Sequence, residues 1–349
     1  MDGKKILIIR FSALGDVAMT VPVVHDLAVQ YPDLDITVLS REMCEPMFVL
    51  LPDNVHFIAA DLNGRHKGIG GLNRLLREIH YKDFDYVADF HDVLRTQWLR
   101  FRFALVGKKV AHIDKGRKGK KALTRQKNKT LTQQATSFER YAEVLVQLGF
   151  PVKADFKGLD YRRFEEVPNK PGEHWVGIAP FAKHEAKAYP LEMMEEVVEM
   201  LSKKVNVLLF GGGLEEKQVL SDMCYRHENT YIAHSEFDLA GEIAMMQHLD
   251  VMLTMDSANM HLASLVGTPV VSVWGGTHPY AGFLGWHQKD TDCVQLDMPC
   301  RPCSVYGNKP CLRGDYACLK GITPEMIVGK VMHHLGRRDE SASLQTDDV

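Results

Sequence analysis

The sequence predicts an α/β protein of two domains, each built on a parallel sheet. Two observations lead to this prediction. Short β-branched runs alternate with helical patterns along nearly all of the 349-residue chain, and such alternation is typical of βαβ units. The chain is also longer than one ordinary domain and suits two domains of roughly 150 to 180 residues each.

The first half contains five predicted strands, with helical patterns between several of them. The strands are KILIIRF (5–11), ITVLS (36–40), HFIAA (56–60), YVADF (86–90) and KVAHI (109–113). A helix is predicted through residues 137–149, because Gly149 and Pro151 are typical stop signals. We predict that the first domain covers residues 1–165.

The second half repeats this pattern after a stretch that we interpret as the linker, residues 151–172, which contains Pro168 and Pro171. Helices such as 190–204 separate its strands, and the second domain is predicted over residues 172–335. A polar tail, 336–349, is expected to be disordered. The five predicted strands are WVGIAPF (175–181), NVLLFGGG (206–213), TYIAH (230–234), VMLTMD (251–256) and VVSVWGG (270–276).

The composition is that of a soluble globular protein, with 45% hydrophobic and 25% charged residues. No run of about 20 apolar residues is present, and the apolar run at 6–9 stops at Arg10. The sequence therefore predicts neither a membrane-spanning helix nor a signal peptide. We expect a cytoplasmic protein.

The two halves differ in charge. The net charge of the chain is -3, but residues 1–170 carry +7 and residues 171–349 carry -10. The first half is therefore better suited to an anionic partner. Residues 108–129 hold ten basic residues and one acid, and both a solvated loop and a functional segment are consistent with that composition. Nucleic acid is disfavoured, because no aromatic residues alternate with these charges.

Residues that could carry chemistry follow the predicted strands. Ligands of open parallel sheets bind beyond the carboxyl ends of the strands, so two such domains are expected to bind them at an interdomain cleft. Four segments occupy post-strand positions: RFSALGDV (10–17), KAYP (187–190), GGGLEE (211–216) and MDSANMHLASLVGTPVVSVWGGTHP (255–279).

These segments resemble the successive motifs of the heptosyltransferases of glycosyltransferase family 9, and the resemblance extends from residue 5 to about residue 335. It implies the GT-B fold, in which two Rossmann-like domains face each other across the interdomain cleft. It also implies inverting transfer of heptose from ADP-heptose to the lipopolysaccharide inner core, with no cofactor beyond this donor and no metal. The most specific element is a set of fixed spacings: DSANMH (256–261), Gly-Thr-Pro (267–269) and WGGT (274–277).

In the first domain, the resemblance implies that Asp16 is the general base that removes the proton from the acceptor hydroxyl. Ser12 and Gly15 would shape its loop. By residue type alone, Asp16 is also an acid in the first turn of a predicted helix, where it is a favourable partner for the helix dipole.

In the second domain, Lys187 matches the lysine that would stabilise charge on the leaving diphosphate, with Lys183 as a competing candidate. Ser257 is a predicted N-cap, and the N-terminus of its helix should bind the diphosphate. His261 is either a ligand contact or a packed helix residue. The other donor contacts are Asp256 for sugar hydroxyls, Glu215 for the ribose, with Glu216 as the alternative, and Gly276 and Thr277, beside Gly275, for the phosphates.

The implied acceptor is an anionic, lipid-linked saccharide. We therefore expect peripheral contact with the cytoplasmic face of the inner membrane, through residues 115–129. Arg95 is either an acceptor contact or a solvated helix residue. Two other functions stay open, since fold and phosphate sites do not select the sugar: transfer from another nucleotide sugar, and nucleotide-sugar binding without catalysis.

Two further patterns concern metals. Asp83-Phe-Asp85 matches the DxD motif of another glycosyltransferase fold, but it precedes a strand and we interpret it as a polar turn. A late cluster has the spacing C-x2-C-x7-C-x6-C, from Cys300 through Cys303 and Cys311 to Cys318. In a reducing cytoplasm, free thiols or a structural metal are favoured over disulfides.

Overall fold

The computed structural model describes residues 3–164, 173–233 and 238–346, with side chains of the last helix described to residue 336. The chain divides into two compact units, residues 1–115 with 135–159 and residues 116–134 with 160–349. This division assigns 116–134, which the sequence analysis includes in the first domain, to the second unit. The predicted boundary and the last part of the predicted linker, 165–172, lie outside the described residues.

The first unit contains a five-stranded parallel sheet in the order β3-β2-β1-β4-β5. The central strand β1 is almost wholly buried, because it is covered on both faces and reads as a continuous apolar run. In chain order the elements are β1 (Lys5–Ile9), α1 (Leu14–Ala18), α2 (Val21–Gln30), β2 (Asp35–Ser40), β3 (Val55–Ala59), α3 (Gly68–Glu78), β4 (Tyr86–Asp89), α4 (Leu94–Leu105) and β5 (Lys109–His112), followed after the 116–134 segment by α6 (Ser137–Leu148).

Helix α6 shows why the local sequence signals work. The Thr136 hydroxyl accepts the Glu139 N–H at 3.1 Å, and the Glu139 carboxylate accepts the Thr136 N–H at 2.7 Å. This reciprocal capping box satisfies donors at the helix start. The helix ends at Gly149, whose φ of 97° is a left-handed conformation that glycine adopts without strain.

The second unit contains a six-stranded parallel sheet in the order β11-β10-β9-β6-β7-β8. Every strand predicted from the sequence is present; β11, only two residues long, was not predicted. In chain order the elements are α5 (Arg117–Leu123), β6 (Trp175–Ala179), α7 (Leu191–Ser202), β7 (Asn206–Leu209), α8 (Leu214–Arg226), β8 (Thr230–Ile232), α9 (Leu239–Gln247), β9 (Val251–Met255), α10 (Ala258–Leu265), β10 (Val270–Val273), β11 (Cys293–Val294), α11 (Ala317–Lys320) and α12 (Pro324–Thr346).

Helix α12 extends to Thr346, into the tail that the sequence analysis expects to be disordered from residue 336. Residues 347–349 lie outside the described part. Among the described residues, no helix is both long and apolar enough to cross a membrane.

Residues 108–129, which we call the basic segment, belong in part to the second unit. Lys120 is buried on α5, with its Nζ 4.0 Å from the centroid of the Phe283 ring. Lys129 Nζ donates to three backbone carbonyls at 2.8 to 3.2 Å, those of Pro299, Arg301 and Pro302. These two cations therefore have structural contacts and do not belong to a solvated loop.

The strand order places the functional residues. It reverses between β1 and β4 in the first sheet and between β6 and β9 in the second. In open parallel sheets, ligands bind outside the carboxyl ends of strands at such a switch point. Each unit carries a polar cluster at its own switch point.

Candidate active site

In the first unit, Arg10 joins the ends of β1 and β4. Its Nη2 lies 2.7 Å from Asp16 Oδ2, and its Nη1 donates to the Phe90 carbonyl at 2.7 Å. The guanidinium is buried, whereas 30% of the Asp16 side chain is exposed. Asp16 is thus a carboxylate that a buried cation orients and that solvent and ligands can still reach.

Asp16 also caps its own short helix. Its Oδ2 accepts the N–H of Ala13 at 3.0 Å, just before α1, and its backbone carbonyl accepts the Tyr141 hydroxyl at 3.2 Å. Gly15 is buried beside it and Ser12 is half-buried. Asp16 therefore also stabilises the start of its own helix, and this contact leaves its carboxylate 30% exposed and accessible for a second role.

His91, which follows β4, contacts the same loop. Its Nδ1 accepts the Phe11 N–H at 3.4 Å, which puts the proton of the neutral ring on Nε2, 3.5 Å from the Ser12 hydroxyl. Burial, with the charges of Arg10 and Lys115, lowers the pKa of His91 to about 3. The ring is therefore neutral at physiological pH and acts on Ser12 as a donor.

Asp89 and Arg100 also belong to this cluster, although neither was predicted from the sequence as a site residue. Asp89 ends β4, fully buried, and its Oδ2 lies 3.1 Å from Arg100 Nε on α4. Its Oδ1 accepts the N–H groups of His91 and Asp92, both at 2.9 Å. The sequence does contain a signal for Asp89, because it is an acid at the end of an apolar strand. Arg95, for which two interpretations stay open, is exposed on α4.

In the second unit, three predicted residues meet at the carboxyl ends of neighbouring strands. Lys187 follows β6 and its Nζ lies 2.9 Å from Asp256 Oδ2, after β9. The same Nζ donates to the Asp256 carbonyl at 3.2 Å. Thr277, after β10, donates its hydroxyl to Asp256 Oδ2 at 2.8 Å. The fold thus assembles a fixed ammonium at the switch point of the sheet.

The frame of Lys187 comes from its own motif. Lys187 ends a short 3-10 helix, and Tyr189 is buried, its hydroxyl donating to the Ile322 carbonyl at 2.7 Å. Gly307, with φ of 76°, packs so closely that a Cβ there would lie 2.6 Å from Lys187 Cγ. The stem of Lys187 is therefore held along its length, whereas the competing Lys183 is exposed.

The loop after β10 is clamped from one side. Arg301, buried, donates through Nε to the Gly275 carbonyl at 2.5 Å and through Nη2 to the Thr277 carbonyl at 3.0 Å. The Gly276 carbonyl accepts the N–H groups of Cys303 and Ser304 at 3.0 and 3.1 Å. Burial lowers the pKa of Arg301 below its ordinary value. Arg301 could not be identified from the sequence, because most of its partners are backbone carbonyls and those of Gly275 and Thr277 lie far from it in the chain.

This clamp determines which way the loop amides point. In a trans peptide, the N–H of one residue lies opposite the carbonyl of the residue before it. The carbonyls of Gly276 and Thr277 face residues 301–304, so the N–H groups of Thr277 and His278 face away from them. Gly276 itself donates its N–H to the Ala186 carbonyl at 2.8 Å, and a Cβ at Gly276 would lie 3.0 Å from that of Ala186. Two successive amides that point away from residues 301–304 suit an anion.

Ser257 occupies the N-cap of α10, as predicted, with an extended backbone. Its hydroxyl contacts the Thr254 hydroxyl at 2.9 Å and makes no cap hydrogen bond to the helix. His261, one turn into α10, is buried. This burial favours the packed-residue interpretation of His261 over direct ligand contact.

The two glutamates at the start of α8 differ. Glu216 accepts the Gly212 N–H at 2.8 Å and so closes the glycine loop before the helix. Glu215 is exposed. Of the two, Glu215 is the more exposed, and its contact with a ligand stays a prediction.

Two sequence patterns concern metals. The aspartates of the first lie away from the candidate active site, and the cysteines of the second do not form a metal-binding group. The Asp85 carboxylate accepts the Lys5 N–H at 3.0 Å at the amino ends of β1 and β4, the edge of the sheet opposite Asp16. All seven cysteines are free thiols. Cys300, Cys303, Cys311 and Cys318 line one small cavity, yet within the described residues no three Cys, His, Asp or Glu side chains form a group that could hold a metal ion.

Comparison with known proteins gives similarity over almost the whole chain. A family model described as glycosyltransferase family 9 (heptosyltransferase) matches residues 72–311. The lipopolysaccharide heptosyltransferase 1 of Pseudomonas aeruginosa is 24% identical over 313 residues, which cover 86% of this chain and 86% of that protein.

Solved structures with the same fold cover both units. The family 9 glycosyl transferase of Veillonella parvula has a TM-score of 0.76 at 22% identity and covers 97% of this chain and 98% of its own. The ADP-heptose lps heptosyltransferase II of E. coli has a TM-score of 0.70 at 17% identity and covers 96% and 99%.

Proposed function

The chain belongs to glycosyltransferase family 9, and from this premise we propose that it transfers heptose from ADP-heptose to an anionic lipopolysaccharide inner-core acceptor, with inversion at the anomeric carbon. It is a glycosyltransferase with the GT-B fold. The names of its relatives in P. aeruginosa and E. coli support the donor and the acceptor.

The observation that carries the proposal is the Lys187 ammonium at the second switch point. Lys187 and Asp256 are 69 residues apart in the chain, and the fold brings them together with Thr277. A nucleoside diphosphate gains negative charge on its leaving oxygen as the sugar departs, and a fixed cation in a partly buried site stabilises that charge. Lys187 supplies such a cation.

In this reaction Asp16 acts as the base for the acceptor hydroxyl. The acceptor hydroxyl oxygen forms a bond to the anomeric carbon while the bond from that carbon to the β-phosphate oxygen breaks. The hydroxyl proton goes to the Asp16 carboxylate, and ADP leaves with the electron pair of the broken bond. A well-placed carboxylate suffices as base, because the diphosphate is already a good leaving group.

The remaining residues hold the donor. The diphosphate is bound by the N-terminus of α10 and by the N–H groups of Thr277 and His278, which point away from residues 301–304. Glu215 binds the ribose. Asp256 orients Lys187 through Oδ2 and accepts a sugar hydroxyl at its other oxygen. Ser12 and Gly15 shape the loop that carries Asp16.

The test is an ADP-release assay with purified protein, a panel of nucleotide sugars and purified lipid-core acceptors. Asp16→Asn keeps the size of the side chain and its contact with Ala13 but removes its basicity. We expect turnover to fall by roughly 10² or more, with donor KM little changed. Asp83→Asn, an exposed aspartate on the opposite edge of the sheet, is the matched control and should keep full activity.

The outcomes separate the parts of the proposal. Release only with another nucleotide sugar would replace ADP-heptose as donor and leave the family intact. Donor binding without turnover on any acceptor would favour a binding protein. Near-normal turnover of Asp16→Asn would remove Asp16 from the role of base.

A further inference from the structure

Helix α4 has an apolar stripe on the face opposite its buried one. The buried face consists of Thr96, Leu99 and Phe103, which pack into the first unit. At about 100° per residue, Leu94, Trp98, Phe101 and Leu105 fall within an arc of roughly 60° on the other side of the helix. A helix on the surface of a single unit needs apolar side chains only on the face that packs against that unit. The second apolar face of α4 is therefore not required for this packing.

Three of the four side chains in this stripe are open to solvent, and the fourth, Trp98, also packs against the core of the first unit. Leu94 is 85% exposed, Phe101 52% and Leu105 65%, and Trp98 is half-buried. Scattered apolar side chains on a surface need no explanation, but three exposed ones in one row beside the half-buried Trp98 mark an interaction surface.

Helix α3 extends this surface. The Asn73 side-chain oxygen accepts Trp98 Nε1 at 3.1 Å and Arg102 Nη1 at 2.6 Å, which joins the two helices. Ile69, one turn before Asn73 on the same face of α3, is 61% exposed. The apolar surface therefore spans two helices.

The surface is bordered by positive charge. The sequence of α4, LRTQWLRFRFAL, has three arginines and no acid. Arg100 turns towards Asp89 and Asp92, while Arg95 is exposed and the Arg102 guanidinium lies 6.0 Å from the centroid of the Trp98 ring. On α3, Arg77 is exposed, one turn after Asn73. We call this surface the α4 face: Ile69, Leu94, Trp98, Phe101 and Leu105, with Arg77, Arg95 and Arg102.

We propose that the α4 face docks the protein on an anionic lipid bilayer. Helices that lie in the bilayer interface place Trp, Phe and Leu at the boundary between headgroups and acyl chains and their arginines at the lipid phosphates. A second copy of this chain fits less well, because a two-fold interface would bring the same arginines against each other. The inference goes beyond the proposed function and does not depend on which sugar or acceptor the enzyme uses.

Vesicle flotation of the full-length protein tests the proposal. We expect binding to vesicles of phosphatidylcholine with about one quarter phosphatidylglycerol, and weaker binding to phosphatidylcholine alone. The variant Phe101→Ser/Leu105→Ser should lower the partition coefficient about tenfold, since binding scales with buried apolar area. Arg77→Gln/Arg95→Gln should weaken binding to the anionic vesicles and flatten its salt dependence.

The matched control is Leu214→Ser/Tyr225→Ser. These residues on α8 are 89% and 92% exposed, so the control removes as much exposed apolar surface in the other unit and should leave binding unchanged. All substituted side chains are exposed, and thermal melts check that each variant is folded.

The fluorescence of Trp98 reports how deeply the α4 face enters the bilayer. The other tryptophans, Trp175, Trp274 and Trp286, are buried, so lipids brominated on the acyl chain should quench Trp98 fluorescence selectively. Trp98→Phe should lose most of this quenching while it still floats with the vesicles.

Three results would overturn the proposal. The first is no binding to anionic vesicles, and the second is equal binding by Phe101→Ser/Leu105→Ser and the parent. The third is a dimer in sedimentation analysis that this variant dissociates, which would make the α4 face a contact between two copies.

Discussion

At the scale of single residues, the Lys187–Asp256 pair combines a structural and a chemical role. Only 17% of the lysine side chain and 5% of the aspartate side chain are exposed. Removing one partner of such a pair leaves a buried charge without its counter-ion, whereas removing both charges is often tolerated. The two roles can therefore be separated by mutation.

We predict that Lys187→Met lowers the free energy of unfolding by about 3 kcal/mol, because the Asp256 charge stays buried. Lys187→Met/Asp256→Asn should recover most of this loss, since Thr277 can still donate to the amide oxygen. Both variants should lose turnover, which requires the ammonium. Urea unfolding and ADP release measure the two effects. A double variant that is less stable than both single variants would contradict this account of the pair.

His91 predicts a pH dependence of stability. Its folded-state pKa of about 3 lies below the ordinary value of 6.5, chiefly because of burial. Between these values the unfolded chain binds the proton and the folded chain does not. The contribution is complete above pH 6.5 and is lost as the pH falls towards 3, by up to about 1.4 kcal/mol per unit.

His91→Gln should therefore flatten the dependence of stability on pH between about 6 and 4, measured by urea unfolding at each pH. Glutamine can still accept the Phe11 N–H and donate to Ser12. His278, whose pKa burial lowers to about 4, is present in both proteins and adds equally to both curves. Parallel curves for the variant and the parent would show that His91 does not titrate as inferred.

Several site residues could be predicted from sequence and several could not. Asp16 and Lys187 lie in segments that follow apolar strands, so their post-strand positions can be predicted from the sequence. The role of Arg10 cannot be predicted from its motif, because its contact with Phe90 after β4 depends on the pairing of β1 with β4. Arg301 binds backbone carbonyls, which leave no mark in the sequence.

At the scale of elements, capping and strand patterns predict the boundaries well. Helix α6 begins at a capping box and ends at Gly149, both of which are local signals. Strand β11 has two residues and pairs only with β10, which is too short for any periodicity. The basic segment contains α5, and the contacts of Lys120 and Lys129 are tertiary contacts that composition does not show.

The docking role of residues 115–129 stays a prediction, and exposed side chains among them can test it. Lys120 is unsuitable for such a test because it is buried against Phe283. Lys118, Lys121 and Arg125 are exposed, and changing all three to Gln should weaken binding to acceptor micelles at low salt by removing about 1 kcal/mol or less per charge. Calorimetry with ADP should show unchanged donor binding. Micelle binding equal to that of the parent would make these residues solvated surface.

At the scale of the whole molecule, the two parallel sheets follow from the alternation of strand and helix patterns, but the division of the chain does not. Residues 116–134 are continuous in sequence with the first unit, yet they belong to the second. Lys129 binds its three carbonyls there, and the Gln134 N–H donates to the Tyr280 carbonyl at 2.9 Å. A local pattern cannot reveal such an exchange, because the contacts join positions about 150 residues apart.

We predict that the second unit binds the nucleotide. At an ADP concentration about 100 times Kd, binding to the folded state adds about 2.7 kcal/mol of stability. Hydrogen exchange should therefore slow in residues 173–233 and 238–335 and also in residues 116–134, which belong to the same unit. Exchange that slows in the first unit alone would reverse this assignment.

The assignment of residues 116–134 to the second unit also determines how the protein responds to proteolytic cleavage. The chain passes between the units at 115/116, at 134/135 and at 159/160. A protease that cleaves at any one of these points produces two fragments, but at least one fragment still holds parts of both units. The nicked protein should therefore migrate as two bands under denaturing conditions and as one particle under native conditions. Three covalent crossings make the connection between the units redundant, which a single tether never is.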